Sequence, residues 1–160
     1  MTAAAITNIK VAGLGGQGVL TATDLIGEVA FRAGRDVKKA EVHGMSQRGG
    51  SIESDVRFGP AVLSPMIPEG TVDYGLVFDP GRVEYMKKRL RDEGVLIGPD
   101  AVDVGRLADR RSFNVAMLGV LSTHLPFECE FWLRVLRERL PSRLVEANEQ
   151  AFSLGRSAKG

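Results

Sequence analysis

The segment from Glu41 to Ser51 concentrates side chains that could bind an anion or take part in catalysis. It contains an acid, an imidazole, two hydroxyls, an amide and a guanidinium, interspersed with three glycines. A guanidinium fork suits a carboxylate or a phosphate, and the paired glycines beside it would let backbone N–H groups converge on the same ligand. The residues predicted to face an active site are His43, Ser46, Gln47, Arg48 and Ser51.

The sequence Gly13-Leu14-Gly15-Gly16-Gln17-Gly18 matches the G-x-G-x-x-G pattern of phosphate-binding turns. It follows a short apolar strand and precedes a helical pattern, which is the context that this motif requires. Glycines permit a tight turn and close approach of a phosphate, and a helix N-terminus favours negative charge. The predicted ligand-binding residues are Gly13, Gly15, Gly16, Gln17 and Gly18.

Both segments also have structural explanations, which the residues alone leave open. The glycines could serve only for close packing, Gln17 could steady the neighbouring loop, and the serines could bond turn backbone. Glu41 follows Gly18 by 23 residues, near where a ribose-binding acid stands in dinucleotide-binding proteins. A free-standing NAD- or flavin-binding Rossmann oxidoreductase therefore remains an alternative, as does a nucleotide-sensing module without turnover.

The apolar pattern predicts an α/β three-layer domain with a mostly parallel, Rossmann-like sheet and a helical C-terminal third. We treat residues 1–160 as one domain. Strands are predicted at 6–13, 35–42, 51–58, 72–79 and 95–97, with a helix from Val19 that ends at Gly34 and a polar helix at 82–91. The 51–58 strand alternates in polarity and is expected to have one face exposed to solvent. In such a sheet, the glycine turn and the 41–51 loop lie at one edge and could line one crevice.

The C-terminal third supplies much of the predicted core, and Ser142 is placed to cap the last helix. The core candidates in this region are Leu118, Leu121, Trp132, Leu136, Leu140, Leu144 and Phe152.

Composition excludes several classes of protein. Lys plus Arg is 21 and Asp plus Glu is 20, so a net charge of +1 gives no general attraction to nucleic acid or acidic membranes. The single cysteine, Cys129, forms no internal disulfide and builds no multi-cysteine zinc or iron–sulfur site by itself. No signal sequence or membrane-spanning apolar run stands out. We expect a soluble cytoplasmic protein with no metal site, no nucleic-acid partner and no membrane partner.

The two motifs together carry a family resemblance. Residues 13–19 and 41–51 resemble the gamma-type domain of 2-oxoacid:ferredoxin oxidoreductases, with the beta subunit of indolepyruvate ferredoxin oxidoreductase as the nearest branch. Four further segments, 64–70, 114–119, 146–148 and 151–155, also resemble that family. The resemblance extends over nearly the whole chain, and the 41–51 motif is its most specific part.

The resemblance implies a complex that oxidatively decarboxylates a 2-oxoacid to acyl-CoA and CO2 and passes electrons through iron–sulfur clusters to ferredoxin. Thiamine diphosphate, Mg²⁺ and [4Fe-4S] clusters would belong to a large catalytic partner subunit, with CoA as co-substrate. This chain would bind no cofactor alone, would be inactive in isolation and would reach ferredoxin only through that partner. It has no Gly-Asp-Gly thiamine motif and only one cysteine, in agreement with that division.

The implied substrate is an aromatic 2-oxoacid such as indolepyruvate. Asp79-Pro80-Gly81 departs from the Glu-Pro-aliphatic pattern of that branch, so phenylpyruvate and phenylglyoxylate are further candidates. The stretch from Leu63 to Pro68 is apolar and stiffened by two prolines. We expect part of the partner-binding surface there, because subunits of tight complexes expose apolar surface when alone.

Overall fold

The computed structural model describes residues 5–43 and 50–158. The strands within these ranges are β1 (Thr7–Leu14), β2 (Asp36–His43), β3 (Ser51–Gly59), β4 (Val72–Val77) and β5 (Leu90–Ile97). The α-helices are α1 (Val19–Arg32), α2 (Val83–Lys87), α3 (Phe113–Ser122), α4 (Cys129–Arg139) and α5 (Ser142–Ser157). The three-layer α/β class and the helical C-terminal third are confirmed.

The five described strands form one mixed sheet in the order β2-β3-β1-β4-β5. The β1–β4 and β4–β5 pairs are parallel, whereas β3 is antiparallel to both β1 and β2. Four of the five strands therefore run in one direction, and β3 runs against them between β1 and β2. This insertion was not evident from the sequence. It follows from the short connection between β2 and β3, because a connection of that length joins antiparallel neighbours.

The two faces of the sheet are covered unequally. On the first face, side chains of β1, β3 and β4 such as Ile9, Val56 and Leu76 form the main core with residues of α1, α3, α4 and α5. Among the described α-helices, α2 packs on the second face. Its Met86 forms a small apolar cluster with Ala12 and Val77 of the sheet. Elsewhere the second face carries charged side chains such as Lys10, Glu53 and Asp55.

Helices α3 and α5 cross so closely that two glycines are required at the contact. An added Cβ on Gly155 would overlap the carbonyl oxygen of Ala116, and one on Gly119 would overlap that of Phe152. Both glycines belong to segments that carry the family resemblance. The absence of a side chain at these two positions therefore serves helix packing.

Most predicted boundaries agree with the structure, with three corrections. The strand predicted at 95–97 was too short, since β5 begins at Leu90. Gly34 ends α1 with φ +86°, as predicted. The 82–91 helix was wrong in extent: α2 stops at Lys87, because the chain turns at Arg89 and continues as β5 alongside β4. Ser142 is the first residue of α5 and caps nothing, since Pro141 holds the N-cap position without a side-chain bond.

The predicted core of the C-terminal third is largely confirmed. Five of its seven members are buried, namely Leu118, Leu121, Trp132, Leu136 and Phe152. Leu140 and Leu144 are half-buried.

Candidate functional site

The glycine turn is closed by its own glutamine. The Leu14 N–H donates to Oε1 of Gln17 at 2.7 Å, and the Gln17 N–H donates to the Leu14 carbonyl at 3.1 Å. Gly13 lies beneath this turn, where an added Cβ would stand 2.8 Å from the same Oε1 and 2.9 Å from Cγ2 of Val19. Gln17 and Gly13 therefore form the turn itself. This supports the structural explanation of these two residues, in which they serve the turn and not a ligand.

Gly18 is held by a residue from the far end of the sequence. It occupies the N-cap position of α1 with φ +81°, and its carbonyl accepts a 3.2 Å hydrogen bond from Nδ2 of Asn114. Asn114 is 7% exposed, and an added Cβ on Gly18 would overlap its amide. Sequence reasoning did not assign Asn114 to this site. Its only signal was its place in the 114–119 segment that resembles the family.

Gly16 presents a different environment. Its φ of +90° favours glycine, yet no atom of the described residues lies within 4 Å of an added Cβ. The backbone N–H groups of Gly16, Gly18, Val19, Leu20 and Thr21 have no hydrogen-bond acceptor in the described part of the chain. Free N–H groups at the start of a 14-residue helix form a site suited to an anion.

The loop that carries the other predicted residues begins at the same edge of the sheet as the turn and ends beside it. His43 is the last residue of β2, in register with Ile52 of β3, which in turn pairs with Gly13. The Gly50 carbonyl accepts a 2.9 Å bond from the Gly15 N–H, and half-buried Ser51 starts β3 opposite β1. The predicted proximity of loop and turn is thus confirmed for the end of the loop, while its start at His43 lies at the same sheet edge, two strands from β1.

Part of the predicted site lies outside the described residues. Ser46, Gln47 and Arg48 are in the 44–49 segment, and only the backbone of His43 is described. Their roles stay predictions.

Glu41 is not positioned as a ribose-binding acid. It is in register with Ser54, which pairs with Val11, so β3 separates Glu41 from β1. At the usual strand spacing and rise, Glu41 lies roughly 10 Å across the sheet and roughly 10 Å back from the end of β1 at Leu14. A dinucleotide bound at the glycine turn would have its ribose beside the strand next to β1, which is β3 here. Glu41 is therefore not placed to bind the ribose of NAD at the glycine turn.

A network of charged residues lies on the second face behind the turn. Lys10 binds Asp55 at 2.7 Å and Glu53 at 3.3 Å, and Glu53 also accepts bonds from Arg82 at 3.2 Å and from the Tyr85 hydroxyl at 2.5 Å. Burial alone lowers the pKa of Lys10, but the two carboxylates outweigh it and raise that pKa above its ordinary value. Burial and the bond to Glu53 raise the pKa of Tyr85.

This network corrects the expectation of a solvent-facing polar side on the 51–58 strand. The side is polar, but Lys10, Tyr85 and the 60–71 segment cover it. The charges are neutralised within the network, so its primary role is to hold β1, β3 and α2 together.

The ranges that the structure describes contain neither a metal site nor a membrane-spanning helix. Within 5–43 and 50–158, no group of three or more His, Cys, Asp or Glu side chains is placed to hold a metal ion. Across the same ranges, every helix is too short or too polar to cross a bilayer.

Comparison with known sequences gives a match over nearly the whole chain. The family model described as pyruvate ferredoxin/flavodoxin oxidoreductase matches residues 8–158. A protein named indolepyruvate oxidoreductase subunit IorB from Pyrococcus horikoshii is 32% identical, and the alignment covers 92% of this chain and 93% of that one. The protein of the same name from Thermococcus kodakarensis is 34% identical with the same coverage.

Comparison with solved structures supports the fold. The gamma subunit of a keto/oxoacid ferredoxin oxidoreductase from Geobacter sulfurreducens superposes with a TM-score of 0.77 at 20% identity, over 93% of this chain and 95% of that one. A 2-oxoglutarate:ferredoxin oxidoreductase chain from Magnetococcus marinus gives a TM-score of 0.81 at 21% identity. That match covers 95% of this chain but 30% of the longer one, so the same fold also occurs as one part of a larger polypeptide.

Proposed function

The chain belongs to the pyruvate ferredoxin/flavodoxin oxidoreductase family, and we propose that it works as the gamma-type subunit of a cytoplasmic 2-oxoacid:ferredoxin oxidoreductase complex. We propose that residues 1–160 act as one domain of that complex. The two relatives named indolepyruvate oxidoreductase subunits align over more than nine-tenths of both chains. They support an aromatic 2-oxoacid as substrate, with indolepyruvate as the first candidate.

The redox cofactors of such a complex do not fit this chain and are assigned to its partner. An ordinary iron–sulfur cluster needs four cysteine ligands, and this chain has one cysteine. The described residues contain no acidic or histidine cluster for a metal ion. In this proposal a large catalytic subunit holds thiamine diphosphate, Mg²⁺ and the [4Fe-4S] clusters, and it passes electrons to ferredoxin. Our chain packs on that subunit.

The contribution of this chain is to hold an anionic group at the edge of the partner's active site. The observation that carries this proposal is the open side of Gly16 next to unbonded N–H groups at the start of α1. The anion is the carboxylate of the 2-oxoacid or a phosphate of CoA. The loop that starts at His43 and ends at Ser51 adjoins the turn, and we propose that Ser46, Gln47 and Arg48 also face this anion.

Ligand titration tests this assignment against the dinucleotide alternative. The purified chain is titrated calorimetrically with NAD, NADP, FAD and CoA, and the same titrations are repeated with Gly16→Val. We expect no tight dinucleotide binding, because Glu41 lies two strands from β1. Micromolar binding of a dinucleotide that Gly16→Val abolishes would establish the alternative instead.

A second experiment tests the loop in the assembled complex. Arg48→Ala should lower turnover roughly ten- to a hundredfold, since a lost charge-assisted hydrogen bond costs about 1.5–3 kcal/mol. Arg134→Ala, an exposed position on α4, is the matched control and should retain full turnover. If Arg48 only braces the loop, its variant will lose thermal stability in parallel with activity. Glu53 already binds Lys10 and Arg82, which makes it a poor internal partner for Arg48.

Substrate range is tested on the same complex. Turnover with indolepyruvate, phenylpyruvate, phenylglyoxylate and pyruvate is compared at equal concentrations. We expect an aromatic 2-oxoacid to give the highest kcat/KM. A clear preference for pyruvate would refute the aromatic assignment and leave the subunit role intact.

A further inference from the structure

We propose that the second face of the sheet is the docking surface for the catalytic subunit, and that Val42, Leu63 and Met66 are its apolar contacts. We call these three the docking residues. The inference rests on the proposed function, and it specifies where the partner binds.

The exposed apolar side chains lie mainly on one side of the molecule. The described residues expose four large apolar side chains: Leu63 (97%), Phe31 (67%), Met66 (62%) and Val42 (54%). Phe31 belongs to α1 and therefore to the first face. The other three are the docking residues.

The register of the sheet places the docking residues on the second face. Val42 is directly opposite Glu53, and directly paired residues of neighbouring strands point to the same side. Glu53 meets Lys10 and Tyr85 on the second face, so Val42 lies there too. Leu63 and Met66 belong to the 60–71 segment, which crosses this face.

The 60–71 segment is fixed from below, so its apolar side chains are presented outward. The Val62 N–H donates to the Asp36 carboxylate at 2.7 Å. Arg57 donates to the carbonyls of Ser64 at 2.8 Å and Met66 at 3.0 Å. A segment that is already ordered loses little conformational entropy on binding. This arrangement favours recognition by a partner over burial of the same side chains in this chain's own core.

Three observations favour the catalytic subunit as the occupant. Val42 immediately precedes His43, where the loop proposed to face the partner's active site begins, so one partner can cover the loop and the second face together. Among the described α-helices, short α2 packs on the second face, whereas α1, α3, α4 and α5 cover the first. In the Magnetococcus marinus enzyme, the same fold is part of a chain about three times as long, so it exists there alongside additional polypeptide.

The test measures assembly of the full chain with its large subunit. Both are co-expressed and purified, and the Kd between them is determined for the wild type, for a Leu63→Asp/Met66→Asp double variant and for Phe31→Asp. Phe31→Asp is the control on the first face: like the single variant Leu63→Asp, it adds one negative charge at an exposed apolar position. The single variant Leu63→Asp is also measured. We expect it to leave the fold intact, because the Leu63 side chain is 97% exposed.

The double variant should raise Kd at least about thirtyfold, since truncation or charging of central apolar contacts dominates interface energetics. The Phe31→Asp control should stay within about threefold of the wild type. Urea midpoints of all variants should match the wild type, because the substituted side chains are exposed.

Four results would overturn the inference. An unchanged Kd for the double variant, or an equal loss for Phe31→Asp, would place the interface elsewhere while the subunit role stands. Failure of the wild-type chain to assemble with any large subunit would refute the proposed function itself. Sedimentation of the isolated chain as a dimer that Leu63→Asp dissociates would identify a second copy as the occupant.

Discussion

Gly18 and Gly16 are both in the left-handed region, but the structure predicts very different costs for replacing them with alanine. A left-handed alanine costs about 1–2 kcal/mol, and this is the whole penalty at Gly16, where the described residues leave the Cβ position open. At Gly18 the new Cβ also overlaps buried Asn114, and such overpacking adds about 1–3 kcal/mol. Asn114 would in addition lose its bond to the Gly18 carbonyl, worth about 1 kcal/mol. The expected losses of unfolding free energy are about 1–2 kcal/mol for Gly16→Ala and about 3–6 kcal/mol for Gly18→Ala.

Urea denaturation at 25 °C measures this difference, with the single tryptophan as the probe. Trp132 is fully buried, so its emission will shift to longer wavelength on unfolding. Adding Asn114→Ala to Gly18→Ala should recover about 1–2 kcal/mol, because the smaller side chain removes the overlap. Equal destabilisation by Gly16→Ala and Gly18→Ala, or no recovery in the double variant, would refute the reasoning.

Variants at Gly16 separate an effect on stability from an effect on turnover. Gly16→Ala should keep the chain folded and able to assemble, yet lower turnover of the complex, since its Cβ enters the space assigned to the anion. Full turnover in Gly16→Ala and Gly16→Val would show that this space is not used.

Three further predictions concern the scaffold. Gly155→Ala should lose more than about 3 kcal/mol in urea unfolding, because the new Cβ overlaps the backbone carbonyl of Ala116, which cannot rotate away; near-wild-type stability would contradict the close helix crossing. The Val62 N–H bond lowers the pKa of Asp36 below its ordinary 3.8, so this stabilisation is present above pH 3.8 and is lost as pH falls through the folded pKa. The Val62 amide shift should titrate there by NMR, and Asp36→Ala should remove that step. Lys10→Met should cost about 3–5 kcal/mol at pH 7, because it leaves buried Asp55 without its cationic partner while Glu53 keeps Arg82, and a loss that does not shrink in acid would argue against this cause.

The local features of this protein follow from its sequence. The turn from Gly13 to Gly18 was predictable because left-handed backbone conformations favour glycine wherever the fold places them. The apolar spacing after Val19 predicted the buried stripe of α1, and Gly34 predicted its end, since both depend on neighbours within a few residues. The family was also recognisable, because its motifs are short contiguous segments.

The relations between distant segments were decided only by the tertiary structure. Asn114 reaches Gly18 across 96 positions, and no local pattern indicates that contact. The position of β3 between β1 and β2 depends on which strands pair, and it removed Glu41 from the ribose position that its spacing suggested. The outward display of Leu63 and Met66 depends on bonds from Arg57 to their segment. In each case the deciding interaction joins residues that are remote along the chain, where sequence periodicity carries no information.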